Sequence, residues 1–408
     1  MFYHRPGAQR PRHLASPVDH PTPLTSADST AKIGDLAAEA GIRRVHVLAW
    51  RDLSDVEAGG SEVHIDQVAR RWAEAGVEVT MRTSFAAGQA PLGARNGYVV
   101  VRRAGRYLVF PRAVVDELRR RHGSRDALVE VWNGMPFFSP LWNRGPGLVV
   151  LHHAHADMWR MVLPPRLATL GEAIERRVAP PLYRRATIAT LSPSSRRELI
   201  QRLGVRPERV AVVPPGLDPM FTPGPPGLLS PRPRIVAVGR LVPVKRFDHL
   251  VRAADEARRT VPDLELCIVG EGYGRAELEA LVARLGAESW VTLTGRVRDD
   301  ELVELYRSAW VVASASQSEG WGMSLTEAAA CGTPAVATRI AGHEDAVVDG
   351  ETGVLADLDD LGTALASVLS DRPRRDRLAA AALERSLRYD WGTTATELMR
   401  LLAGDARR

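Results

Sequence analysis

The sequence predicts an α/β protein built from two doubly wound domains, each a parallel sheet covered by helices. Two observations support this. The chain has 408 residues, which is too long for one hydrophobic core of ordinary size. Short apolar runs of strand length also alternate with helical segments on both sides of a Pro- and Gly-rich stretch at 217–233, as in parallel sheets with crossover helices. That stretch is predicted to be an interdomain linker, and ligands are expected outside the C-terminal strand ends, in a cleft between the domains.

Residues 1–40 are predicted to be an N-terminal tail with a short helix. Residues 1–31 are rich in Pro, His, Ser and Thr without a periodic apolar pattern, so they are expected to be disordered, and the helix follows at 31–40. The first domain then spans 41–216. Its elements are predicted from apolar runs and from helical spacing of apolar residues: strands at 45–49, 77–81, 99–102, 128–132 and 148–151, and helices at 60–75, 112–122 and 165–177.

The second domain is predicted to span 234–388 and to be followed by a C-terminal segment at 389–408. The same alternation of strand-length and helix-length patterns continues through it. Its strands are predicted at 235–238, 264–269, 291–293, 309–313 and 335–338, and its helices at 246–260, 275–285 and 300–308, with the last helix of the chain at 393–403.

The composition excludes several classes of protein. A hydrophobic content of 45% and a charged content of 25% are typical of soluble globular proteins. No apolar run approaches the ~20 residues of a membrane-spanning helix, and the N-terminus lacks the apolar core of a signal peptide. Cys267 and Cys331 lie among apolar or small residues, which indicates buried free thiols in a reducing compartment. We therefore expect a cytoplasmic protein. Because the net charge of +5 is spread along the chain, nucleic-acid binding is not expected.

The stretch at 314–344 is the most informative part of the chain. Glu319 follows a predicted buried strand, and the glycines at 320 and 322 leave the loop backbone open to a ligand. A helix is predicted to begin near Ser324 and carries a second carboxylate, Glu327. A strand, a Gly-rich turn and a helix N-terminus form a site for an anion, because free N–H groups and the helix dipole point the same way. Two acids beside such a site indicate a ligand with a phosphate and many hydroxyls, such as a nucleotide sugar.

Each acid also has a purely structural interpretation. The sequence from Ser324 to Glu327 is that of a capping box, in which the Glu bonds the backbone at the helix start. Glu319 is then an ordinary solvated loop residue. The Gly-Trp-Gly sequence at 320–322, the turn at Gly332 and the strand at 335–338 favour the functional interpretation.

Two cationic residues, Arg240 and Lys245, lie in the first loop of the second domain. Only Lys32 and Lys245 are lysines, and every other Lys/Arg position is Arg. A lysine kept in such a background indicates a need for a compact, flexible ammonium. Arg240 and Lys245 flank a strand–loop–helix junction, so they can converge on a diphosphate and offset charge on a departing nucleotide. A solvated basic loop is the alternative.

In the first domain, Gly59 and Gly60 follow the first strand and open a helix. They are interpreted as a glycine loop that lets the backbone approach donor phosphates from across the cleft, the alternative being a plain turn with Ser61 as N-cap. The strand ending at Leu151 is followed by His152, His153, His155 and Asp157. Because neighbouring side chains on a strand alternate faces and no other His or Cys cluster completes a site, zinc is not expected.

Two further patterns are set aside. Asp357 and Asp359 form a D-x-D sequence before a predicted helix, where a cap and a solvated turn are the better interpretation. Gly270 and Gly272 begin a dinucleotide fingerprint, but Arg275 occupies the position of its third glycine.

The acids Glu319 and Glu327, with seven residues between them, resemble the E-x7-E signature of the retaining glycosyltransferases of family 4, which have the GT-B fold. Four other segments agree with that family, and the similarity covers about residues 43–403. They are similar to the turn into the interdomain link (212–218), the donor-diphosphate segment (238–251), a Gly-rich strand end (269–278) and the strand whose end meets the nucleotide base (293–297).

The resemblance implies two Rossmann-like domains that face a cleft, with the acceptor on the first domain, the donor on the second, and the C-terminal helix returning to the first. It implies a retaining, metal-independent glycosyltransferase that moves a hexose-type sugar from a nucleotide-diphosphate sugar to a hydroxyl acceptor: a glycan, a glycolipid or a small molecule. It needs no cofactor besides the donor substrate. Arg-rich helices at 112–125 and 166–185 suggest peripheral contact with the cytoplasmic face of a membrane and a lipid-linked acceptor.

The resemblance also assigns site residues. Glu319 is expected to face the donor sugar, Glu327 to hold the ribose hydroxyls, and a His after strand 148–151 to lie near sugar and acceptor, a role that both His152 and His155 fit. Two alternatives stay open: a nucleotide-sugar epimerase, against which the acidic pair argues, and a non-catalytic nucleotide-sugar-binding protein. The donor-binding residues are expected to be Gly59, Gly60, Arg240, Lys245, Val297, Gly320, Gly322, Met323, Ser324, Leu325 and Glu327.

Overall fold

The computed structural model describes residues 26–153, 159, 164–225 and 227–407. Within these residues, fourteen strands form two sheets. Strands alternate with helices along the chain, as predicted for an α/β protein. Two predictions concern residues outside these ranges: the disorder of residues 1–25 and the role of His155. The strands of the first domain are β1 (Arg44–Leu48), β2 (Glu78–Thr83), β3 (Leu92–Arg95), β4 (Tyr98–Arg102), β5 (Ala127–Trp132), β6 (Gly147–Leu151), β7 (Thr187–Thr190) and β8 (Val210–Val212).

The first sheet has the order β3-β4-β2-β1-β5-β6-β7-β8. Its pairs are parallel except β3 and β4, which are antiparallel. The antiparallel strand β3 at this edge was not predicted. Asn96 and Gly97 join the two strands with φ of 47° and 86°, the positive values that a two-residue hairpin turn requires. The Asn-Gly pair was a sequence signal for this hairpin.

The second sheet is parallel throughout its described pairs, with the order β11-β10-β9-β12-β13-β14. Most of its strands are apolar, as expected for a parallel sheet covered by helices on both faces, and the pairing of β10 with β11 shifts register between Ile268 and Val269. The main core of this domain lies between the sheet and the helices, around residues such as Ile235, Leu250 and Leu365, which are fully buried. The strands are β9 (Arg234–Val238), β10 (Glu265–Val269), β11 (Val291–Gly295), β12 (Val311–Ser314), β13 (Ala335–Thr338) and β14 (Gly353–Ala356).

The helices of the first domain differ from the prediction at three places. The first helix begins at Ser26, so residues 26–31 are helical and not disordered. The third begins at Val109, because buried Val109 and Phe110 belong to its apolar face. The segment predicted as one helix at 165–177 is α-helical only to Ala173 and continues as a π-helix, Ile174–Val178. The α-helices here are α1 (Ser26–Glu39), α2 (Gly60–Glu74), α3 (Val109–Leu118), α4 (Ser139–Trp142), α5 (Pro165–Ala173), α6 (Ala179–Tyr183) and α7 (Pro193–Leu203).

The last helix returns to the first domain, as predicted. Trp72 of α2 donates a hydrogen bond from its indole to the carbonyl of Ala395, at 2.9 Å. Leu398 and Met399 are buried in the same core as Ile33 of α1. The later helices are α8 (Phe247–Arg258), α9 (Arg275–Arg284), α10 (Asp299–Ser308), α11 (Met323–Ala330), α12 (Ala341–Ala346), α13 (Leu361–Ser370), α14 (Arg372–Ser386) and α15 (Trp391–Ala406).

The chain crosses between domains twice, and the two crossings touch. Leu217 forms a β-bridge with Asp390. A Cβ at Gly216 would lie 2.2 Å from the backbone nitrogen of Trp391, so only glycine allows this approach. None of the helices in the described part of the chain combines the length and the apolar character that crossing a membrane requires.

Candidate active site

A cavity of about 1090 Å³ lies between the two domains. It is lined by the loops that follow β1, β5 and β6 of the first sheet and β9 and β12 of the second. These are C-terminal strand ends, where open α/β sheets bind their ligands. Eleven of the predicted site residues, from both domains, line this cavity: Gly59, Gly60, His152, Arg240, Lys245, Glu319, Gly320, Gly322, Met323, Ser324 and Glu327.

Glu319 lies in the loop after β12 and is bonded directly to Lys245. The Lys245 ammonium donates to Glu319 Oε1, and Ser316 Oγ donates to the same oxygen at 2.7 Å. Burial works to raise the pKa of this carboxyl, but the charge of Lys245, with smaller effects of His343 and of the two hydrogen bonds, outweighs it and lowers the pKa to about 2. Glu319 is therefore ionised at neutral pH, and it is not a solvated loop residue.

Glu327 lies on the first turns of α11 and does not cap it. The helix begins at Met323, with Gly322 as N-cap at φ 104°, so Ser324 is already inside and the capping-box interpretation was wrong. Instead, Tyr306 Oη donates to Glu327 Oε2 at 2.8 Å. Burial raises the pKa of Glu327 to about 7, against the opposing effect of the Tyr306 hydrogen bond. The two acids of the predicted pair thus have opposite electrostatic environments.

Arg240 reaches across the cleft to the glycine loop of the first domain. Its Nη1 donates to the carbonyl of Glu57 at 3.2 Å, and its Nε would lie 3.4 Å from a Cβ at Gly59. A Cβ at Gly60 would lie 3.1 Å from Met323 Sδ of the second domain. The glycines therefore allow the loop to lie close against the second domain.

Ser61 is not the N-cap of α2. Gly59 holds that position, and its N–H donates to Glu62 Oε2 at 2.8 Å. Ser61 Oγ instead accepts a hydrogen bond from Asn133 Nδ2 at 2.9 Å, which ties α2 to the loop after β5.

His152 directly follows strand β6, where the first domain meets the loop after β12 of the second. Its side chain is buried, and its ring lies edge-on to that of His64, 5.0 Å between centroids. A Cβ at Gly320 would lie 2.6 Å from the His152 carbonyl oxygen. A glycine is thus required at position 320 for the second domain to meet the first.

Two predicted donor residues do not line the cavity. The side chain of Leu325 is buried in a hydrophobic cluster of the second domain, and Val297 packs against the same cluster. Asp357 and Asp359 are exposed around a 3-10 turn, Leu358–Asp360, that precedes α13. Among the described residues, no three carboxylate, imidazole or thiolate groups converge as a metal site requires.

Sequence reasoning missed Arg51, a buried cation of the cavity wall. Its guanidinium lies over the ring of Trp50 at 4.1 Å and donates to the Glu57 carbonyl at 2.7 Å. Burial lowers its pKa, and the neighbouring Arg240 and Arg106 act in the same direction. The signal was present in the sequence, since Arg51 closely follows the first strand at its C-terminal end.

The chain matches two glycosyltransferase sequence families and several known proteins. Residues 58–221 match the sequence family described as Glycosyltransferase Family 4, and residues 225–385 match Glycosyl transferases group 1. The chain is 31% identical to a D-inositol 3-phosphate glycosyltransferase of Acidothermus cellulolyticus over 92% of this chain and 94% of the relative. It is also 31% identical to a GDP-mannose-dependent alpha-(1-6)-phosphatidylinositol monomannoside mannosyltransferase of Mycolicibacterium smegmatis, over 76% and 85% of the two chains.

A third relative, from Stackebrandtia nassauensis and also named a D-inositol 3-phosphate glycosyltransferase, is 36% identical over 52% of each chain. Among solved structures, sucrose-phosphate synthase of Thermosynechococcus elongatus superimposes with a TM-score of 0.75 at 20% identity, covering 87% of this chain and 97% of that one. WaaG, a glycosyltransferase involved in lipopolysaccharide biosynthesis, gives 0.70 at 18% identity, covering 88% and 100%. These likenesses establish a shared fold.

Proposed function

The chain belongs to glycosyltransferase family 4 and has the GT-B fold, and from this premise we propose that it is a retaining, metal-independent enzyme that moves a hexose-type sugar from a nucleotide-diphosphate sugar to a hydroxyl acceptor. That it is a glycosyltransferase follows from its relatives, which bear that name. The observation that carries the donor proposal is the meeting of Arg240, Lys245, Glu319 and Glu327 around one Gly-rich turn in the interdomain cavity.

The cations are suited to the diphosphate of such a donor. Arg240 offers a planar fork that binds phosphate oxygens in pairs, and Lys245 offers a compact point charge. Both would stabilise the charge that develops on the nucleoside diphosphate as it leaves. The N-terminal turn of α11, at Met323 and Ser324, adds backbone N–H groups and the positive end of a helix dipole.

The two acids are suited to different hydroxyls. We assign Glu319, held ionised by Lys245, as the hydrogen-bond acceptor for hydroxyls of the donor sugar. Glu327 is our candidate for the ribose hydroxyls, with Tyr306 holding one of its oxygens. Of the two candidate histidines, His152 lies in the described part of the chain, and we assign it to contact with the sugar and the acceptor. Retention would follow from attack of the acceptor on the same face from which the leaving phosphate departs, with that phosphate accepting the acceptor's proton.

The name of one relative supports a nucleotide sugar, since that protein is described as dependent on GDP-mannose. The epimerase and the non-catalytic binding protein are not favoured, because the curated relatives compared above are named as transferases.

The test is a screen of UDP-, GDP- and ADP-sugars by thermal shift and by release of nucleoside diphosphate, each with EDTA and with magnesium. We expect one donor to stabilise the protein and to be hydrolysed slowly and equally in EDTA. Glu319→Gln should abolish the release while the thermal shift remains. Turnover that depends on magnesium would refute metal independence, and an inverted anomeric configuration of the product by NMR would refute retention.

A further inference from the structure

The first-domain side of the cavity is lined largely by apolar side chains. Three separate pieces of chain contribute side chains to it: α3, the loop after β5, and α5. Together they form what we call the apolar chamber, defined by Phe110, Val114, Met135, Phe138, Leu167 and Leu170.

The chamber is open to solvent on its α5 side, whereas its α3 side rests on a core cluster of the first domain, to which Phe110 belongs. The side chains of Leu167 and Leu170 are 52% and 55% exposed, and Tyr107, which also lines the cavity, is 63% exposed. Sugar hydroxyls need hydrogen-bonding partners, whereas leucine, valine and phenylalanine offer none. An exposed apolar surface that continues into an active-site cavity is typical of a binding surface for an apolar group.

The segments that flank the two helices of the chamber carry exposed arginines. All six arginines in 103–121 are exposed, whereas the acids Asp116 and Glu117 are buried. Arg106, Arg112 and Arg121 form ion pairs with Glu57 or Asp116, so the excess exposed charge lies at Arg103, Arg119 and Arg120. Beyond α5, Arg176 and Arg177 are exposed and Glu175 is buried. The solvent-facing surface around these helices therefore carries exposed arginines between exposed apolar residues, which is complementary to a molecule with a hydrocarbon part and an anionic group.

We propose that the acceptor is an anionic amphiphile whose hydrocarbon part occupies the apolar chamber while its hydroxyl-bearing head reaches the donor side of the cavity. This inference rests on the proposed function and gives it a substrate class. In the transfer, the acceptor oxygen forms a bond with the anomeric carbon of the donor sugar. The bond from that carbon to the phosphate oxygen breaks, the nucleoside diphosphate leaves with the electron pair, and it takes up the hydroxyl proton.

The chamber predicts a dependence of binding on chain length. Each methylene that moves from water into an apolar site contributes about 0.8 kcal/mol, or about fourfold in affinity. We would titrate the full chain with n-butyl, n-hexyl and n-octyl phosphate by calorimetry, below the concentrations at which they form micelles. Inorganic phosphate serves as the probe of the head group alone.

The decisive variant is the pair Leu167→Ser with Leu170→Ser, and its matched control is Leu141→Ser. Leu141 is 64% exposed on α4 and does not line the cavity, so none of the three changes disturbs a core. We expect octyl phosphate to bind at least tenfold more weakly to the double variant, with no change in the control or in donor-induced thermal shift. Affinity that is independent of chain length, or an equal loss in Leu141→Ser, would overturn the proposal.

The same samples separate this inference from the proposed function. If the wild-type chain releases nucleoside diphosphate from a donor but shows no chain-length dependence, the transferase assignment stands and the amphiphile proposal fails. If chain-length-dependent binding is found without any donor turnover, the chamber is confirmed and the proposed function fails.

Discussion

Lys245 and Glu319 form an ion pair in the interdomain cavity, with the lysine ammonium bonded to Glu319 Oε1. The two residues are 74 positions apart, and sequence reasoning assigned them to different ends of the donor. Their pairing means that neither charge is buried alone. It also means that the group proposed to contact the donor sugar is electrostatically linked to the group proposed to contact the diphosphate.

Replacing Lys245 by Met should therefore affect stability and activity together. Removing one partner of a largely buried pair leaves an uncompensated charge, which costs about 3 kcal/mol. Because the folded pKa of Glu319 lies below its ordinary value of 4.5, this stabilisation is present above pH 4.5 and is lost as the pH falls toward 2. Urea unfolding of both proteins at pH 7 and pH 3 should show a smaller difference at pH 3. Arg298→Ala, which breaks an exposed pair, should leave the unfolding midpoint unchanged.

Glu327→Gln should make the protein more stable above neutral pH. A carboxyl whose folded pKa is raised to about 7 favours the protonated form in the folded state, so folding is penalised as the pH rises from 4.5 to 7. We expect the variant to gain about 1–3 kcal/mol at pH 8 and nothing at pH 4.5. The measurement is the free energy of unfolding across this range, and a gain of equal size at both pH values would contradict the explanation.

Arg240→Lys should weaken donor binding more than Arg296→Lys does. Both arginines donate to neighbouring carbonyls of the same first-domain loop, Arg240 to Glu57 and Arg296 to Val56, but of the two only Arg240 lines the cavity. A lysine cannot reproduce the paired hydrogen bonds of a guanidinium to phosphate. We expect a loss of about tenfold or more in kcat/KM for Arg240→Lys and little change for Arg296→Lys. Equal losses would indicate that domain contact, and not phosphate binding, is the role of Arg240.

Gly320→Ala should lower activity with a small effect on the fold of either domain. The added methyl would lie 2.6 Å from the His152 carbonyl oxygen, so the domains would have to move apart at the active site. A misplacement of about 1 Å can reduce the rate by about 10²-fold. The measurement is kcat at saturating donor, and Gly404→Ala, where a new Cβ meets nothing within 4 Å, is the matched control. Full activity of Gly320→Ala would show that the domains tolerate a wider approach.

The local structure of this protein was largely predictable from the sequence. The alternation of strands and helices follows from periodicity, which depends on neighbouring residues only. The E-x7-E spacing identified the turn between Glu319 and Glu327 for the same reason, since both acids belong to one strand–loop–helix unit. The hairpin at Asn96 was missed although its turn signal was present, and the π-helix after Ala173 has no comparable signal in the sequence.

The sequence by itself determined the two α/β domains and the polar residues that follow their strands. Only the tertiary structure decided which of these residues are partners: Lys245 with Glu319, Tyr306 with Glu327, and Arg240 with the Glu57 carbonyl. The physical reason is that hydrogen bonds and charge interactions act over a few ångströms in space, whereas the partners are 21 to 183 positions apart in the chain. The same reason explains the apolar chamber, since its walls come from segments that show no relation in sequence until the sheet brings them together.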